Sequence, residues 1–327
     1  MKALVTGATG FTGSHLTRYL LARGYEVRVL MRASSHPAAI DGLPVETALG
    51  DLGDEAPLDS AMQGVEIVYH VGALYRAENL PKRAFRDVNV GGTRKLLEAA
   101  KRAGVSRFVH CSTVGVQGDV KNPPAREDAP YNPGDHYQES KRDGELLALD
   151  FGRREGLAVS VVRPTGIYGP GDTRFLKLFR TINNGTFRMI GSGKVLYHLT
   201  YVEDLAAGLT LAGECAPAVG EVFTIGGEDY LTLNELVAKI AAVLGRRVSG
   251  MSIPVWPVWL AGLGCEVFCR PFGIPPPIYR RRVDFFTKSR AFDISKAKAL
   301  LGYQPRVSLD EGLARTAAWY REQGLLG

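Results

Sequence analysis

Cysteines are few in this sequence and are not arranged to hold a metal or a disulfide framework. The 327 residues include four, at positions 111, 215, 265 and 269, and no two form a Cys-x-x-Cys pair. We therefore predict no metal site and no disulfide-stabilised fold. Cys265 and Cys269 lie one helical turn apart and are interpreted as buried thiols. A reducing cytoplasm is the expected compartment, since the chain begins directly with a strand and without a cleavable signal.

The sequence also lacks an apolar run long enough to cross a bilayer. The longest apolar segment, Met251 to Ile278, is interrupted by prolines and by Glu266 and Arg270. Its uninterrupted part falls well short of the ~20 residues that a spanning helix needs. Three interpretations stay open for this segment: a wall for an apolar substrate, a peripheral membrane contact through 251–278, or an ordinary lobe core or dimer contact.

No basic run is interleaved with aromatic residues, so the pattern of a single-strand nucleic-acid binder is missing. The composition, 45% hydrophobic and 23% charged with a net charge of +6, indicates a globular protein. A positive balance is compatible with an anionic ligand such as a phosphorylated cofactor. We expect a small-molecule substrate and no nucleic-acid partner.

What the sequence does contain is an alternation of strand and helix signals in its first half. Strands are predicted at 2–6, 26–31, 65–71, 107–112 and 159–163, and helices at 14–22 and 91–103 and around 137–141. Gly24 and Gly104 follow two of these helices as C-terminal caps. Strands separated by helices imply an α/β fold with a doubly wound parallel sheet covered on both faces.

The pattern loosens beyond Pro164, where glycine-rich loops alternate with short helices predicted at 175–183 and 232–244. Segments 199–213 and 221–224 are predicted to return to the main sheet. We therefore predict a Rossmann-type domain made of residues 1–165 plus 199–226. A smaller, discontinuous C-terminal substrate lobe would take residues 166–198 plus 227–327.

A glycine-rich turn follows the first strand, with glycines at 7, 10 and 13. Gly7 permits a tight turn, Gly10 lets a diphosphate approach the backbone, and Gly13 lets the next helix pack closely on the sheet. The helix N-terminus then points its amides at the phosphates. This arrangement predicts a dinucleotide site, with a purely structural turn as the alternative.

The end of the second strand bears on which dinucleotide is bound. A carboxylate there would hold the ribose hydroxyls of NAD, but the sequence has Met31 and Arg32. Because a guanidinium can bind a 2′-phosphate, we predict NADP(H), with NAD(H) as the alternative. Asp51, beside Leu52, is predicted to contact the adenine, or else to cap a helix that begins near Glu55.

Tyr137 and Lys141 stand four residues apart in a segment predicted to be helical. This spacing places a phenol and an ammonium group on one helical face, about one turn apart. A neighbouring cation favours the phenolate, so we expect it to lower the phenol pKa and make Tyr137 a usable acid or base near neutral pH.

Hydroxyl side chains end the strand that precedes this helix. Thr113 or Ser112 is predicted to hydrogen-bond the substrate oxygen, because the carboxyl edge of a parallel sheet faces the ligand crevice. His110 is expected to point into packing. His136 is interpreted as a loop residue, with a place in the site as the alternative.

These residues together resemble the extended short-chain dehydrogenase/reductase superfamily, of the NAD-dependent epimerase/dehydratase type. The motifs that carry the resemblance run in order through about two thirds of the chain. They are Gly-x-x-Gly-x-x-Gly at 7–13, Gly50-Asp51-Leu52, His70-Val71-Gly72-Ala73, Asn89-Val90-Gly91-Gly92-Thr93, Ser112-Thr113, Tyr137-x-x-x-Lys141, Arg163-Pro164-x-x-x-Tyr168-Gly169-Pro170 and Tyr201-Val202-Glu203-Asp204.

The resemblance implies a Rossmann domain, a variable substrate lobe and a set of site residues. Thr113 matches the family's catalytic hydroxyl, Tyr137 its acid/base, and Lys141 the lysine that holds the nicotinamide ribose and tunes the phenol. The implied cofactor-binding set is Gly7, Thr9, Gly10, Phe11, Thr12, Gly13, Arg32, Asp51, Leu52, Val71, Gly72, Ala73, Asn89, Ser112, Tyr137, Lys141, Pro164 and Ile167. Gln117 departs from the family pattern, which usually has tyrosine there. A homodimer is the family expectation.

The C-terminal third is similar in layout to 3β-hydroxysteroid dehydrogenases, dihydroflavonol 4-reductases and hopanoid-associated epimerase-like proteins. We therefore expect an NADP(H)-dependent oxidoreductase acting on a secondary alcohol or ketone of an apolar sterol-, isoprenoid- or aryl-like substrate. One alternative is a nucleotide-sugar 4-epimerase with tightly held NAD, for which Asn183, Asn184, Arg188 and Arg280 are candidate diphosphate contacts. Another is a non-catalytic NADP-binding scaffold or sensor.

Overall fold

The computed structural model describes residues 1–75, 80–248, 250–269 and 280–326. The strands in chain order are β1 (Lys2–Thr6), β2 (Glu26–Met31), β3 (Glu46–Leu49), β4 (Ile67–His70), β5 (Arg107–Cys111), β6 (Val159–Pro164), β7 (Gly166–Tyr168), β8 (Met189–Ile190), β9 (Leu196–Tyr201), β10 (Val222–Ile225), β11 (Tyr230–Thr232) and β12 (Ser252–Ile253).

The helices in chain order are α1 (Phe11–Ala22), α2 (Glu55–Met62), α3 (Lys82–Arg86), α4 (Thr93–Arg102), α5 (His136–Glu155), α6 (Leu176–Asn183), α7 (Val202–Glu214), α8 (Leu233–Val243), α9 (Val255–Cys269), α10 (Arg280–Thr287), α11 (Ser295–Leu301) and α12 (Leu309–Glu322). A π-helical segment, Asp87–Gly92, leads into α4.

The main sheet has seven parallel strands in the order β10-β6-β5-β4-β1-β2-β3. The chain leaves β1 towards β2 and β3 and then returns to build the other half from β4 onward. Strand order therefore reverses between β1 and β4, and the crevice beyond their carboxyl ends is where such sheets bind ligands. This confirms the predicted Rossmann-type doubly wound sheet.

Apolar side chains fill both faces of the main sheet. On one face, α1 and α7 pack together and bury a cluster that includes Leu16, Leu20 and Leu209. On the other face, α2, α4 and α5 cover a cluster that includes Leu58 and Leu96. Burial on both sides explains why the central strands read as nearly continuous apolar runs.

A second core lies beside the sheet and contains residues from both the middle and the end of the chain. Its small sheet pairs β9 in parallel with β7 and antiparallel with β11. Tyr168, Phe179, Leu236 and Tyr320 are buried in this core. The domain boundaries given above stay predictions, but the loop that follows β7 of this small sheet lines the site described below.

Two details of the main sheet differ from the sequence predictions. Strand β3 was not predicted, because it is a short, largely exposed edge strand that contains Glu46. Of the segments expected to return to the main sheet, α7 and β10 do so, whereas β9 pairs in the second sheet. Residues 199–201 were therefore wrongly assigned to the main sheet: their apolar side chains complete the second core.

The apolar segment 251–278 is described only as far as Cys269. Its helix α9 exposes large apolar side chains, with Trp256 67% and Val267 65% exposed. In the described ranges, no helix combines the length and the apolar character needed to cross a membrane.

Candidate active site

The turn between β1 and α1 leaves no room for a side chain at Gly7, and the helix that follows leaves none at Gly13. Gly7 has a left-handed backbone (φ +73°), and a Cβ there would lie 2.7 Å from the Cα of Gly72, just beyond β4. A Cβ on Gly13 would lie 2.2 Å from the Gly7 carbonyl oxygen. The first turn of α1 carries no acidic side chain that would offset its positive end. This cradle fits the diphosphate of a dinucleotide.

A cavity of about 540 Å³ opens at the carboxyl ends of β1 and β4, where the strand order reverses. Most of the predicted cofactor-binding residues line it: Gly7, Thr9, Gly10, Phe11, Thr12, Gly13, Arg32, Asp51, Leu52, Val71, Gly72 and Ala73. The glycine turn, the end of β2 and the end of β4 therefore share one concave surface.

The β2 side of the cavity presents a cation and a hydroxyl group. Arg32 and Ser35 both line it, and the Ser35 amide donates to the Arg32 carbonyl oxygen at 2.9 Å in a short turn. Asp51 also lines it, and its Oδ1 accepts from the Gly53 amide at 3.0 Å. Asp51 is therefore not the cap of α2, whose N-cap residue is Asp54. Ser35 was not among the residues predicted to bind the cofactor, although a serine shortly after Arg32 could have indicated it.

Helix α5 carries both Tyr137 and Lys141. It begins where the Asp135 carboxylate, its N-cap, accepts a hydrogen bond from the Gln138 amide at 2.8 Å. Tyr137 therefore lies in the first turn and Lys141 in the next. The Tyr137 ring packs edge-on against Tyr75, with centroids 4.8 Å apart, and Tyr75 lines the cavity. This contact places Tyr137 at the edge of the cavity.

Lys141 is 2% exposed, and its ammonium group has no hydrogen bond or ion pair with any residue that the structure describes. Burial lowers the pKa of Lys141, while Cys111 and Glu145 raise it. Its charge in turn lowers the pKa of the buried His70 and His110, after the larger effect of burial. A buried ammonium without a protein partner is costly. It fits a site whose remaining acceptors, such as ribose hydroxyls, come from a ligand.

The Tyr137 phenol has a raised pKa, not a lowered one. Burial is the largest cause, Tyr75 and Cys111 add to it, and Arg174 opposes it. The expectation that Lys141 brings this phenol near neutrality is therefore wrong for the protein by itself, because desolvation outweighs the neighbouring charges. Tyr137 is a neutral hydroxyl at physiological pH and is able to donate a proton.

The two hydroxyl groups that follow β5 have different hydrogen-bond partners. Thr113 Oγ1 accepts a hydrogen bond from the Gly115 amide at 3.1 Å, which leaves its own proton available to a ligand. Ser112 Oγ instead donates to the buried Glu145 carboxylate at 2.6 Å. Of the pair, Thr113 is therefore the one whose hydroxyl is left to hydrogen-bond a substrate oxygen.

A buried ionic network behind α5 was not predicted from the sequence. Glu145 is fully buried and pairs with Arg163, which is 1% exposed. Arg163 also donates to the Tyr131 hydroxyl at 3.1 Å, and Tyr131 donates to Glu145 at 2.8 Å. Together with Ser112, the network ties the ends of β5 and β6 to α5, so it fixes Thr113 relative to Tyr137.

Asn89 is buried and does not line the cavity. Its amide oxygen accepts from the Leu74 amide at 2.7 Å, and its nitrogen donates to the Leu74 carbonyl at 3.1 Å and to Ser140 Oγ at 2.9 Å. The side chain thus joins the loop after β4 to α5. Its predicted contact with the cofactor has no geometric support in these hydrogen bonds.

His70 occupies the middle of a directional chain of hydrogen bonds. Thr93 Oγ1 donates to the Asn89 carbonyl, so it must accept from His70 Nε2, 2.9 Å away. His70 Nδ1 then accepts from Thr6 Oγ1 at 2.8 Å, and Thr6 accepts from the Gly72 amide. The imidazole is therefore neutral, and burial lowers its pKa to about 3. This series of hydrogen bonds connects the glycine turn to Asn89, which is itself hydrogen-bonded to α5.

The remaining candidates lie away from the cavity lining. Pro164 ends β6 beside Ile225, and Ile167 lies in β7, where its carbonyl accepts from Arg174 at 2.7 Å. His110 is fully buried, which confirms the prediction that it packs in the core. His136 is the first residue of α5 and not a loop residue; it is exposed, lies 3.6 Å from Glu139 and does not line the cavity.

Other sequence candidates contribute no site in the described chain. Gln117 donates to the Arg126 carbonyl at 2.6 Å and supports that loop. Arg188 bonds only nearby carbonyls, and the Arg280 side chain lies outside the described part. All four cysteines are free, and no cluster of potential metal ligands occurs in the residues that the structure describes.

Residues 3–226 match the model of the NAD dependent epimerase/dehydratase family. The chain belongs to this family. It is 32% identical over 344 residues to sterol demethylase protein B of Methylococcus capsulatus, with 100% of both chains covered. It is 30% identical to a 3-beta-hydroxysteroid dehydrogenase of Mycolicibacterium neoaurum, covering 98% of this chain and 92% of the relative.

Among solved structures, a dTDP-glucose 4,6-dehydratase from Streptomyces venezuelae with bound NAD is 29% identical. It superposes with a TM-score of 0.79, covering 100% of this chain and 99% of the other. The resemblance to extended short-chain dehydrogenases/reductases, including those similar to 3β-hydroxysteroid dehydrogenases, is confirmed. This protein is an NAD(P)-dependent enzyme of that superfamily.

Proposed function

We propose that this enzyme is an NADP(H)-dependent oxidoreductase that interconverts a ketone and a secondary alcohol on an apolar, sterol-like substrate. The observation that supports the proposal is the state of three groups carried by α5 and the end of β5, next to the cavity wall that Tyr75 lines. They are the neutral phenol of Tyr137, the Thr113 hydroxyl with its proton available, and the partnerless ammonium of Lys141.

Each of these groups has a distinct task. A bound nicotinamide dinucleotide supplies the hydride in reduction and accepts it in oxidation. Tyr137 donates its proton to the carbonyl oxygen, and Thr113 donates a hydrogen bond to the same oxygen as negative charge develops there. Lys141 holds the ribose hydroxyls and stabilises the phenolate that remains after proton transfer. A neutral phenol suits the reductive direction, because it starts as the acid.

The preference for NADP(H) rests on the β2 side of the cavity. Arg32 and Ser35 line it where a carboxylate would otherwise select the ribose hydroxyls of NAD. A guanidinium and a hydroxyl group offer hydrogen-bond donors to a 2′-phosphate. The solved dehydratase binds NAD, so NAD(H) is the alternative that the cofactor test must exclude.

The apolar substrate is supported by the relatives and by helix α9. Two relatives that span the whole chain carry sterol or steroid names. The exposed Trp256, Leu260 and Val267 of α9 are suited to an apolar substrate, and to a peripheral membrane contact or homodimer as the other proposed uses of this segment. A cytoplasmic enzyme that meets an apolar substrate at a membrane surface would use α9 for both the substrate and the membrane contact.

The second candidate function is a nucleotide-sugar 4-epimerase, favoured by the family model and by the dehydratase fold match. Such an enzyme keeps its cofactor through each cycle. A non-catalytic scaffold is disfavoured, because Thr113, Tyr137 and Lys141 are all present.

The cofactor prediction is tested with the Arg32→Asp variant. We expect its NADPH affinity to fall by about 10- to 100-fold, since charge-assisted hydrogen bonds are lost and a like charge is introduced. Its NADH affinity should stay within about twofold of that of the unmodified protein. Arg94→Asp on the exposed side of α4 makes the same change in net charge and serves as the control. If Arg32→Asp kept the unmodified protein's preference between NADPH and NADH, the assignment of Arg32 to the 2′-phosphate would be refuted.

The reaction is tested in parallel by following nicotinamide absorbance with a polycyclic 3-ketone and NADPH. We expect turnover with this ketone and none with a UDP-hexose. Conversion of the UDP-hexose by protein that retains its cofactor through purification would instead establish the epimerase.

A further inference from the structure

The loop between β7 and α6 reaches across to the glycine turn. Gly171, Asp172, Thr173 and Arg174 all line the cavity, although they follow a strand of the second sheet. The Pro170 carbonyl accepts from His15 Nε2 at 2.9 Å. A Cβ on Gly171 would lie 3.3 Å from the Phe11 ring. The loop therefore packs directly on the first turns of α1, where a diphosphate would bind.

The Arg174 guanidinium is held in place within this loop. Its Nε donates to Asp172 Oδ1 at 2.6 Å, and its Nη2 donates to the Ile167 carbonyl at 2.7 Å. Its Cζ lies 5.3 Å from the centroid of the Phe11 ring, the first residue of α1. Asp172 is 1% exposed, so this orientation is set by a buried group.

Much of the guanidinium remains available to a ligand. Of the five N–H donors of an arginine, the hydrogen bonds above use Nε–H and one on Nη2. The Nη1 group makes no hydrogen bond with the part of the chain that the structure describes. Arg174 thus brings a planar, pre-oriented fork into a cavity whose other wall is a helix N-terminus.

We propose that Arg174 binds the diphosphate of the dinucleotide, so that the loop after β7 and the N-terminus of α1 hold the cofactor between them. The proposal rests on the dinucleotide site of the proposed function and adds a contact from outside the glycine turn. Arginine matches phosphate oxygens in bidentate geometry, and Phe11 holds the guanidinium over the turn that carries the phosphate-facing amides. Cofactor binding and the position of this loop become coupled.

The test compares ligands with and without a diphosphate. Equilibrium binding is measured for NADPH, for 2′-phospho-ADP-ribose, and for adenosine 2′-monophosphate, which has no diphosphate. In Arg174→Gln we expect the first two to weaken by about 10- to 100-fold, the range for lost charge-assisted hydrogen bonds, and adenosine 2′-monophosphate to bind as before. Arg174→Lys should recover part of the loss. Lys177→Gln, an exposed cation on α6, is the control.

Three outcomes would overturn the proposal. They are unchanged NADPH affinity in Arg174→Gln, equal weakening of all three ligands, and a raised KM for the ketone with unchanged NADPH binding, which would assign Arg174 to the substrate. If Arg174→Gln does not fold because Asp172 is left unpaired, Asp172→Asn/Arg174→Gln removes both charges and is compared with Asp172→Asn. Repeating the titrations with NADH and ADP-ribose keeps this test separate from the choice of cofactor.

Discussion

At the glycine-turn end of the cavity, close packing of glycines and backbone amides shapes the site, whereas at the Tyr137 end buried ionisable side chains shape it. The first end depends on close approach: Gly13 has no room for a Cβ beside the Gly7 carbonyl. The second depends on desolvation, which shifts the pKa of Tyr137, Lys141 and His70. The glycine-turn end, which we call the binding end, is therefore determined by local geometry. The Tyr137 end, which we call the chemical end, is determined by the surrounding fold.

The largest effect is expected at the binding end, from adding one methyl group. In Gly13→Ala the new Cβ would meet backbone atoms at 2.2 Å, so the turn must shift. We expect a loss of several kcal/mol in the free energy of unfolding and no measurable NADPH binding. Gly10→Ala, whose Cβ would lie 3.3 Å from the Gly7 oxygen, should fold normally and bind NADPH weakly. Chemical denaturation and calorimetry measure both quantities.

The control for this pair is Gly264→Ala in α9, where a Cβ would meet nothing within 4 Å. Wild-type stability and NADPH affinity in Gly13→Ala would show that close packing of the turn is not what builds the binding end.

A second pair of variants distinguishes the two hydroxyl groups at the chemical end. Thr113→Val should lower kcat by about 10²- to 10³-fold, the range for removing one donor to a developing oxyanion. Ser112→Ala should lower kcat much less than Thr113→Val does but cost about 1–3 kcal/mol of stability, because the buried Glu145 carboxylate loses a donor. Steady-state kinetics and denaturation separate these effects. The reverse pattern would assign the catalytic hydroxyl to Ser112.

The smallest expected effect is a loss of stability in acid that arises from His70. Below its ordinary pKa of 6.5 the imidazole is protonated in the unfolded chain, whereas the folded protein keeps it neutral down to about pH 3. The unfolded state then binds more protons, so stability falls as the pH falls through this window. Between pH 6.5 and about pH 5, the loss in the free energy of unfolding that arises from His70 amounts to about 2 kcal/mol.

The free energy of unfolding as a function of pH measures this contribution. His70→Asn should show a shallower acid loss than the unmodified protein, with the remainder due in part to the buried His110. The exposed His136→Asn should keep the full loss. Equal slopes for His70→Asn and the unmodified protein would contradict the neutral, hydrogen-bonded imidazole.

The contrast between the two ends also explains what the sequence could predict. The glycine spacing at 7–13 and the Tyr137–Lys141 pair are short-range patterns, so the turn and the shared helical face follow from sequence. The alternation of strands and helices likewise predicted the parallel sheet. Strand β3 was missed because an exposed edge strand lacks an apolar signature.

The missed parts of the site depend on contacts between distant segments. Ser112 is turned away by Glu145, 33 residues further along, and no local pattern reveals that bond. The raised pKa of Tyr137 follows from burial, which the Tyr-x-x-x-Lys spacing does not encode. Arg174 reaches the cavity only because the loop after β7 packs on α1.

The most direct test of the central claim is to measure turnover and NADPH affinity in Tyr137→Phe, with Tyr230→Phe in β11 as the control. If the Tyr137 hydroxyl is the proton donor, kcat falls by about 10²- to 10⁴-fold while the NADPH dissociation constant stays nearly unchanged. Turnover at the unmodified rate in Tyr137→Phe would contradict the proposed catalysis.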